Sequence, residues 1–405
     1  MKIDEPKIYF KSSEHMDEIA DNSIQLIMTS PPYGKIKNYG NENQIGYFDS
    51  FNDYFNRLKH VWKECYRVLE SQCRMAINIG DQYLRTTDYG RYRILSIANK
   101  IIDDCLDIGF DYLGDIIWQK VSTTNTTGGC SLMGSIYYPR NGLLTYDYEH
   151  ILIFKKYEGN GRKVDLIVKE LSKISLSEWK KWFVGHWKFP GVIQKEHVAM
   201  YPEELPYRII RMFSFIGDTV LDPFLGSGTS LKVAKSLFRK SIGYELNKNF
   251  EEIIKSKIRE GKADYFKDYQ YLLYYIHEKS KIMNFEIDFS NQKQKGIIFL
   301  KNDKNSVIAI DYILLEQEIL NNVSLKNEIE IKMKENTIQS YFKEKKNWKE
   351  VKNYIIIINS KSEQIAKLKE MAKPILDYEK TPKKIQIFSF NEFIKEEFQI
   401  LNLFQ

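Results

Sequence analysis

Two adjacent prolines close the apolar run Ile24 to Met28. Proline has no N–H to give a sheet ladder and restricts the residue before it, so Thr29-Ser30-Pro31-Pro32-Tyr33 ends a strand abruptly. A small hydroxyl, a rigid turn and an aromatic ring then stand together beyond the strand. In an open α/β sheet that end is where ligands bind. A Pro-Pro loop that merely closes a strand fits the same five residues, because short motifs carry false positives. The pentapeptide therefore needs a partner elsewhere in the chain.

The partner lies almost two hundred residues on. Val220-Leu221-Asp222-Pro223-Phe224-Leu225-Gly226-Ser227-Gly228-Thr229-Ser230 reads as an apolar strand, a glycine turn and a helix over 231–237. Gly226 and Gly228 would let backbone approach a ligand where a Cβ would clash. The stretch lacks the Gly-Lys-Ser or Gly-Lys-Thr of a phosphate-binding loop and the full spacing of a dinucleotide fingerprint. About sixteen residues further, Ser241-Ile242-Gly243-Tyr244-Glu245 reads as the next strand with a carboxylate at its tip, placed to accept from ribose hydroxyls. The pocket favours an adenosine-bearing ligand without a pyrophosphate.

The intervening chain alternates. Strands are predicted at 7–10, 24–28, 75–79, 112–118 and 149–154, and helices at 14–20, from Phe51 to Leu69 and at 94–108. Strands alternating with helices predict a mostly parallel sheet covered on both faces. Gly34 to Ser50 has no period and reads as a loop, suited to a lid or substrate-gripping arm. Residues 122–141 and 157–190 break the alternation. Trp179, Trp182 and Trp187 with Lys180, Lys181 and Lys188 form a basic, aromatic mixture suited to phosphates and bases, or a small satellite core with a solvated lysine face.

Composition sets the bounds. With 405 residues, 43% hydrophobic and 28% charged, the chain can build one large domain and a smaller one. The N-terminus lacks the apolar segment of a signal peptide, and no apolar run approaches a membrane span, so no membrane partner and a cytoplasmic location are expected. Cys65, Cys73, Cys105 and Cys130 form no paired pattern with each other or with histidines, so no disulfide framework and no metal site are expected. The net charge of +6 is compatible with nucleic acid but does not demand it.

Thr29 to Tyr33 followed downstream by Asp222 to Thr229 resembles the beta-group DNA amino-methyltransferases, in which the catalytic motif precedes the S-adenosyl-L-methionine motif. Arg67-Val68-Leu69, Ile117-Trp118-Gln119-Lys120, Tyr148 to Phe154 and His197 through Pro206 resemble the lesser motifs of that family. The resemblance spans residues 7–255. It implies an α/β fold with a mostly parallel, doubly wound sheet, S-adenosyl-L-methionine as cofactor and double-stranded DNA as partner. It also implies a type II restriction-modification setting, with a cognate endonuclease acting separately. By the same resemblance Ser30, Pro31, Pro32 and Tyr33 are catalytic. Asp222, Pro223, Phe224, Gly226, Ser227, Gly228 and Thr229 line the cofactor pocket, Glu245 holds the ribose, and His197 to Arg208 leads into the same pocket. One departure is clear: the family often has Gly-Asp shortly before the catalytic strand, where this chain has Phe10-Lys11-Ser12-Ser13, and Ser12 or Ser13 is the candidate replacement.

The residue types suit amino methylation. An exocyclic amino nitrogen is a poor nucleophile, and its base must first leave the stack. Acceptors at Ser30 Oγ and the Pro31 carbonyl would draw the amino hydrogens and expose the lone pair, while Tyr33 stacks on the base. Family members with serine at the position of Ser30 are mostly cytosine-N4 enzymes and those with aspartate mostly adenine-N6 enzymes, so cytosine-N4 is the expected target and adenine-N6 the alternative. Methylation at cytosine C5 needs a cysteine nucleophile, typically after proline. Here Glu64, Gln72, Asp104 and Gly129 precede the four cysteines.

The domains expected are a methyltransferase part at 1–255 with target-recognition inserts at 120–190, a helical connection at 256–280, and an accessory α/β domain at 281–405. In the last, strands are expected at 296–300, 307–313, 354–359 and 385–390, with helices at 362–372 and 391–398. Lysines there could hold DNA phosphates. The alternative is a restriction nuclease, since Asp311 followed by Glu330-Ile331-Lys332 resembles the Asp and Glu-x-Lys pattern of magnesium-dependent nucleases.

Overall fold

The prolines after Thr29 do end a strand. The computed structural model describes residues 5–34, 38, 40–84, 86–120, 133–134, 137, 140, 142–144, 146–192 and 201–261, with five further strands between 285 and 389. The chain divides into two compact units, Met1–Tyr265 and Phe266–Gln405.

The first unit is built on eight strands: β1 (Lys7–Tyr9), β2 (Ile24–Thr29), β3 (Leu69–Ile79), β4 (Asp111–Gln119), β5 (Tyr148–Lys155), β6 (His186–Lys188), β7 (Thr219–Asp222) and β8 (Lys240–Tyr244). They lie in the order β1-β8-β7-β2-β3-β5-β4-β6. Pairing is parallel throughout except where β5 runs antiparallel to both β3 and β4. From β2 the chain continues to β3 on one side, and from β7 to β8 on the other. The β2/β7 junction is thus the switch point at which an open α/β sheet leaves a crevice for ligands.

Alternation along the strands feeds two cores. Helix α1 (Phe51–Val68) and helix α2 (Ile97–Ile108) bury Tyr54, Leu58, Val61, Trp62, Cys65, Ile97 and Ile101 against Ile27, Met75, Ile77 and Leu221 on one face. On the other face Leu26, Met28, Ala76 and Val220 pack beneath α3 (Leu176–Trp182), α4 (Glu204–Phe213) and α5 (Thr229–Ser236). Helix α6 (Glu251–Arg259) packs Ile254 and Ile258 on Leu225 and Leu231. Ser50 caps α1, accepting from the Asp53 N–H at 3.1 Å. No helix among the described residues is long and apolar enough to cross a membrane.

Three local expectations change. Residues 14–20 form turns rather than a helix. Side chains of α1 capture that backbone instead: Glu64 accepts from the Met16 N–H at 2.7 Å, and Arg67 donates to the Met16 and Ile19 carbonyls. The helix expected from Ile94 begins at Ile97, because Arg93–Leu95 pairs with Gln82–Leu84 as a small hairpin. In the described part of the 34–50 loop, Arg57 of α1 donates to the Asn43 and Gln44 carbonyls and pairs with Asp49 and Glu14, so the loop is anchored at its middle.

The second unit contains β9 (Phe285–Asp288), β10 (Ile297–Asn302), β11 (Val307–Ile313), β12 (Val351–Ile358) and β13 (Ile385–Ser389), in sequential order. The first three form an antiparallel meander, and β11, β12 and β13 are parallel. Asp311 lies on β11, whose neighbours are residues 297–302 and 351–358. Glu330-Ile331-Lys332, the part of the expected helical connection beyond residue 261, and the helices expected at 362–372 and 391–398 lie outside the described residues.

Candidate active site

Parallel pairing of β2 with β7 carries both motifs to one edge of the sheet, with Val220 opposite Leu26 and Leu221 opposite Ile27. The next residues meet directly: Thr29 Oγ1 donates to Asp222 Oδ1 at 2.6 Å across 193 positions of sequence. Phe224 N–H reaches the same oxygen at 3.1 Å, while Ser230 Oγ and Tyr201 Oη donate to Oδ2. Asp222 is fully buried. Burial pushes its carboxyl above the usual range, and the Ser230 and Thr29 hydroxyls pull it back. Four donors match the roughly four lone-pair sites of a carboxylate. The acceptor sites of Asp222 are therefore occupied by donors of the chain itself.

The two glycines differ as well. A Cβ on Gly226, at φ +54°, would meet nothing within 4 Å. One on Gly228, at φ +87°, would come 3.0 Å from Ile254 Cγ2. Gly226 borders open space, whereas at Gly228 α6 approaches closely. Pro223 and Phe224 continue from Asp222, and Phe224 packs edge-on against Trp62 with ring centroids 6.2 Å apart. Lys257 of α6 donates to Ser227 Oγ at 2.7 Å and Thr229 Oγ1 at 2.9 Å. Desolvation draws this ammonium below its ordinary pKa. Nothing in the sequence marked Lys257 beyond its place on an amphipathic helix.

Glu245 follows β8, and its carboxylate accepts from the N–H groups of Gly226 at 3.0 Å and Asn247 at 2.8 Å. Burial pushes it up to about 7, against those two hydrogen bonds. Of the candidate replacements before the catalytic strand, Ser12 donates to Glu14 and Ser13 is buried.

On the catalytic side, the Pro32 carbonyl accepts from Tyr54 Oη at 2.7 Å and from the Gly34 N–H at 3.1 Å. No donor among the described residues reaches the Pro31 carbonyl. Ser30 Oγ and Tyr33 Oη are 3.2 Å apart. Beside them lie two residues that sequence reasoning passed over. Asn78, on β3, reaches Tyr33 Oη at 3.1 Å, and Glu149, on β5, accepts from Asn78 at 2.9 Å. A lone polar residue inside Met75 to Ile79 was the available signal. Thr29, Asn78, Asp222 and Glu245 thus sit at the carboxyl edge of the parallel strands, Glu149 at the start of antiparallel β5, and Tyr54, Ser230 and Lys257 reach them from helices.

The tryptophan-rich insert divides. Trp182 and Trp187 are buried in the second core, and Arg208 lies over the Trp187 ring at 4.9 Å. They cannot stack on bases, because both rings are buried. Trp179 stays half exposed, stacked on Phe183 at 3.9 Å, next to exposed Lys180 and Lys181. His197 lies outside the described residues.

A model of the N6/N4 DNA methylase family matches residues 24–256. The chain belongs to this family. The methylase is 35% identical over 314 residues to the type II methyltransferase M.MjaI of Methanocaldococcus jannaschii, covering 71% of this chain and 96% of that one. It is 37% identical over 279 residues to the type II methyltransferase M.MthZI of Methanothermobacter thermautotrophicus, covering 63% and 76%. Among solved structures, the Thermus thermophilus protein TTHA0409 in complex with S-adenosyl-L-methionine is similar to the methylase with a TM-score of 0.53 and 28% identity, over 63% of this chain and 94% of that one.

The two glycines give a direct check of the turn. Gly226→Ala should lower unfolding stability by about 1 kcal/mol, the cost of the left-handed backbone alone. Gly228→Ala should cost roughly 1–3 kcal/mol more, because Ile254 must also give way. Denaturant titration of the two variants checks the order.

Proposed function

We propose that the methylase transfers a methyl group from S-adenosyl-L-methionine to the exocyclic N4 of a cytosine flipped out of double-stranded DNA, as the modifying half of a type II restriction-modification system. The observation that carries the reading is the pair of acceptors at the end of β2. Pro32's carbonyl is held by Tyr54 and Gly34 while Pro31's faces no described donor, and Ser30 presents a hydroxyl beside it.

The residues at the switch point fit the cofactor. Gly226 leaves open space, Glu245 offers a carboxylate fixed by two backbone donors, and Lys257 brings positive charge to Ser227 and Thr229 at the start of α5. These groups suit, in turn, an adenosine moiety, ribose hydroxyls and a carboxylate. When bound, S-adenosyl-L-methionine supplies an electrophilic methyl group on a sulfonium. Everything else falls to the chain's own groups. Pro31's carbonyl and Ser30 Oγ accept from the target amino group, which withdraws its hydrogens from the ring plane and frees the lone pair. As the N–C bond forms, the nitrogen gives up one of these hydrogens as a proton, which passes by way of these acceptors to solvent. Tyr33 stacks on the base, replacing the stacking lost on flipping. Holding nucleophile and acceptor carbon in line supplies much of the acceleration. The serine supports cytosine, and the half-exposed face of α3 with Trp179, Lys180 and Lys181 supports contacts to the DNA backbone.

Nucleoside mass spectrometry of DNA methylated by the enzyme tests the target: N4-methylcytosine is expected, and N6-methyladenine would establish the alternative. In the same assay Ser30→Ala should lower kcat by about 100-fold while leaving cofactor affinity within about threefold by calorimetry. Equal losses in both would refute this division of roles.

Glu245 gives a pH test. Its folded pKa of about 7 lies above the ordinary 4.5, so burial favours the protonated form. The stability this contributes is complete in acid and is lost as pH rises from 4.5 through about 7. Cofactor binding should run the other way, because the ionised carboxylate is the better acceptor for hydroxyls. Affinity should rise about tenfold from about pH 6 to about pH 8, the change in ionised fraction around that pKa. Glu245→Gln should bind weakly and without this dependence.

A further inference from the structure

Behind the catalytic turn lies a buried polar chain. Lys120, just beyond β4, forms an ion pair with Glu149 Oε1. Glu149 Oε2 lies 2.9 Å from Asn78 Nδ2, and the same nitrogen lies 3.1 Å from Tyr33 Oη and 3.5 Å from Ser30 Oγ. Asn78 is 3% exposed and Glu149 5%. A Cβ on Gly80 would come 3.3 Å from the Tyr33 ring and 3.4 Å from Glu149 Cγ, so both side chains pack over that glycine.

The chain has a direction. A carboxylate paired with lysine can only accept, so the Asn78 atom facing Glu149 must be the amide nitrogen. Its second hydrogen then points to Tyr33 Oη. A phenol oxygen that accepts from Asn78 sends its own hydrogen elsewhere, and Ser30 Oγ is 3.2 Å away. In the arrangement where Tyr33 Oη donates, Ser30 keeps one lone pair and its own hydrogen for the base. The same orientation leaves Asn78 Oδ1 buried without a partner among the described residues. Buried unsatisfied acceptors are uncommon in folded proteins and call for an explanation. The amide is held the way that serves Tyr33 and Ser30, at the expense of its own oxygen.

We propose that Asn78 is a positioning residue for methyl transfer: anchored by Glu149 and Lys120, it sets the donor direction of Tyr33 Oη and thereby the orientation of the Ser30 hydroxyl towards the target amino group. The proposal rests on the reading that Ser30 faces that group. It assigns Asn78 an effect on turnover that passes through the phenolic oxygen of Tyr33. It assigns none on cofactor binding, which the proposed function places at Gly226, Glu245 and Lys257 on the β8 side of β7.

A double-mutant cycle on the full-length protein tests it, with methyl-labelled S-adenosyl-L-methionine and bulk unmodified genomic DNA as substrate. Asn78→Ala should lower kcat roughly 30-fold with the KM for cofactor changed less than about threefold. In a Tyr33→Phe background, which keeps the ring and removes the hydroxyl, the same substitution should cost less than about threefold. A full loss in both backgrounds, or an unchanged kcat for Asn78→Ala in the otherwise wild-type protein, overturns the proposal. So does loss of cofactor binding in both Asn78→Ala and the more conservative Asn78→Ser, since that would mark a purely structural role. The methylated base is read from the wild-type product, so a mistaken choice of cytosine would leave the cycle intact.

Discussion

A carboxylate taken fully out of water must be surrounded by donors, and Asp222 finds its donors on four separate pieces of chain. Thr29 comes from the end of β2, Phe224 from the glycine turn, Ser230 from α5 and Tyr201 from the segment before α4. Removing a donor from a buried charged acceptor costs roughly 1.5–3 kcal/mol. The turn after β2 and the glycine turn after β7 are thus fastened to one another through a single side chain. The sheet order makes the meeting possible, because β2 and β7 are parallel neighbours although nearly two hundred residues separate them. Neither motif could hold its geometry by local interactions alone.

From that fastening the site spreads along the carboxyl edge of the sheet. On the β8 side Gly226 and Glu245 bond to each other, and Lys257 closes the turn from α6. On the β3 side Asn78 and Glu149 back the hydroxyls of Ser30 and Tyr33. The proposed cofactor and base sites therefore occupy opposite flanks of one switch point. The antiparallel insertion of β5 brings a strand's beginning, with Glu149, to the edge where the parallel strands end. A parallel strand there would have delivered its carboxyl-terminal end instead.

Much of this was legible in the sequence, for identifiable reasons. Consecutive prolines and the glycine turn leave few backbone options, so Thr29 to Tyr33 and Asp222 to Thr229 announced strand ends. Strong apolar periods located α1 and most strands within a few residues. What stayed hidden depends on tertiary partners. Residues 14–20 have a helical composition, yet Glu64 and Arg67 claim their backbone groups. Trp182 and Trp187 look like ligands for bases in a lysine-rich stretch but are core residues, because tryptophan burial is decided by what packs above it. Asp222 reads as a pocket residue from its motif, and only the position of Thr29 and Tyr201 shows that its acceptor sites are filled. Lys257 and Glu149 act through neighbours that are remote in sequence.

The hydroxyl of Thr29 supports the glycine turn after β7 through Asp222 without being part of it. Calorimetric titration of S-adenosyl-L-methionine into Thr29→Val tests this most directly, since valine keeps the shape of the strand end and removes only the donor. The account predicts affinity lower by ~1 kcal/mol, or roughly fivefold. An affinity equal to that of the unsubstituted protein would contradict it, and would mean that the two motifs are neighbours without being coupled.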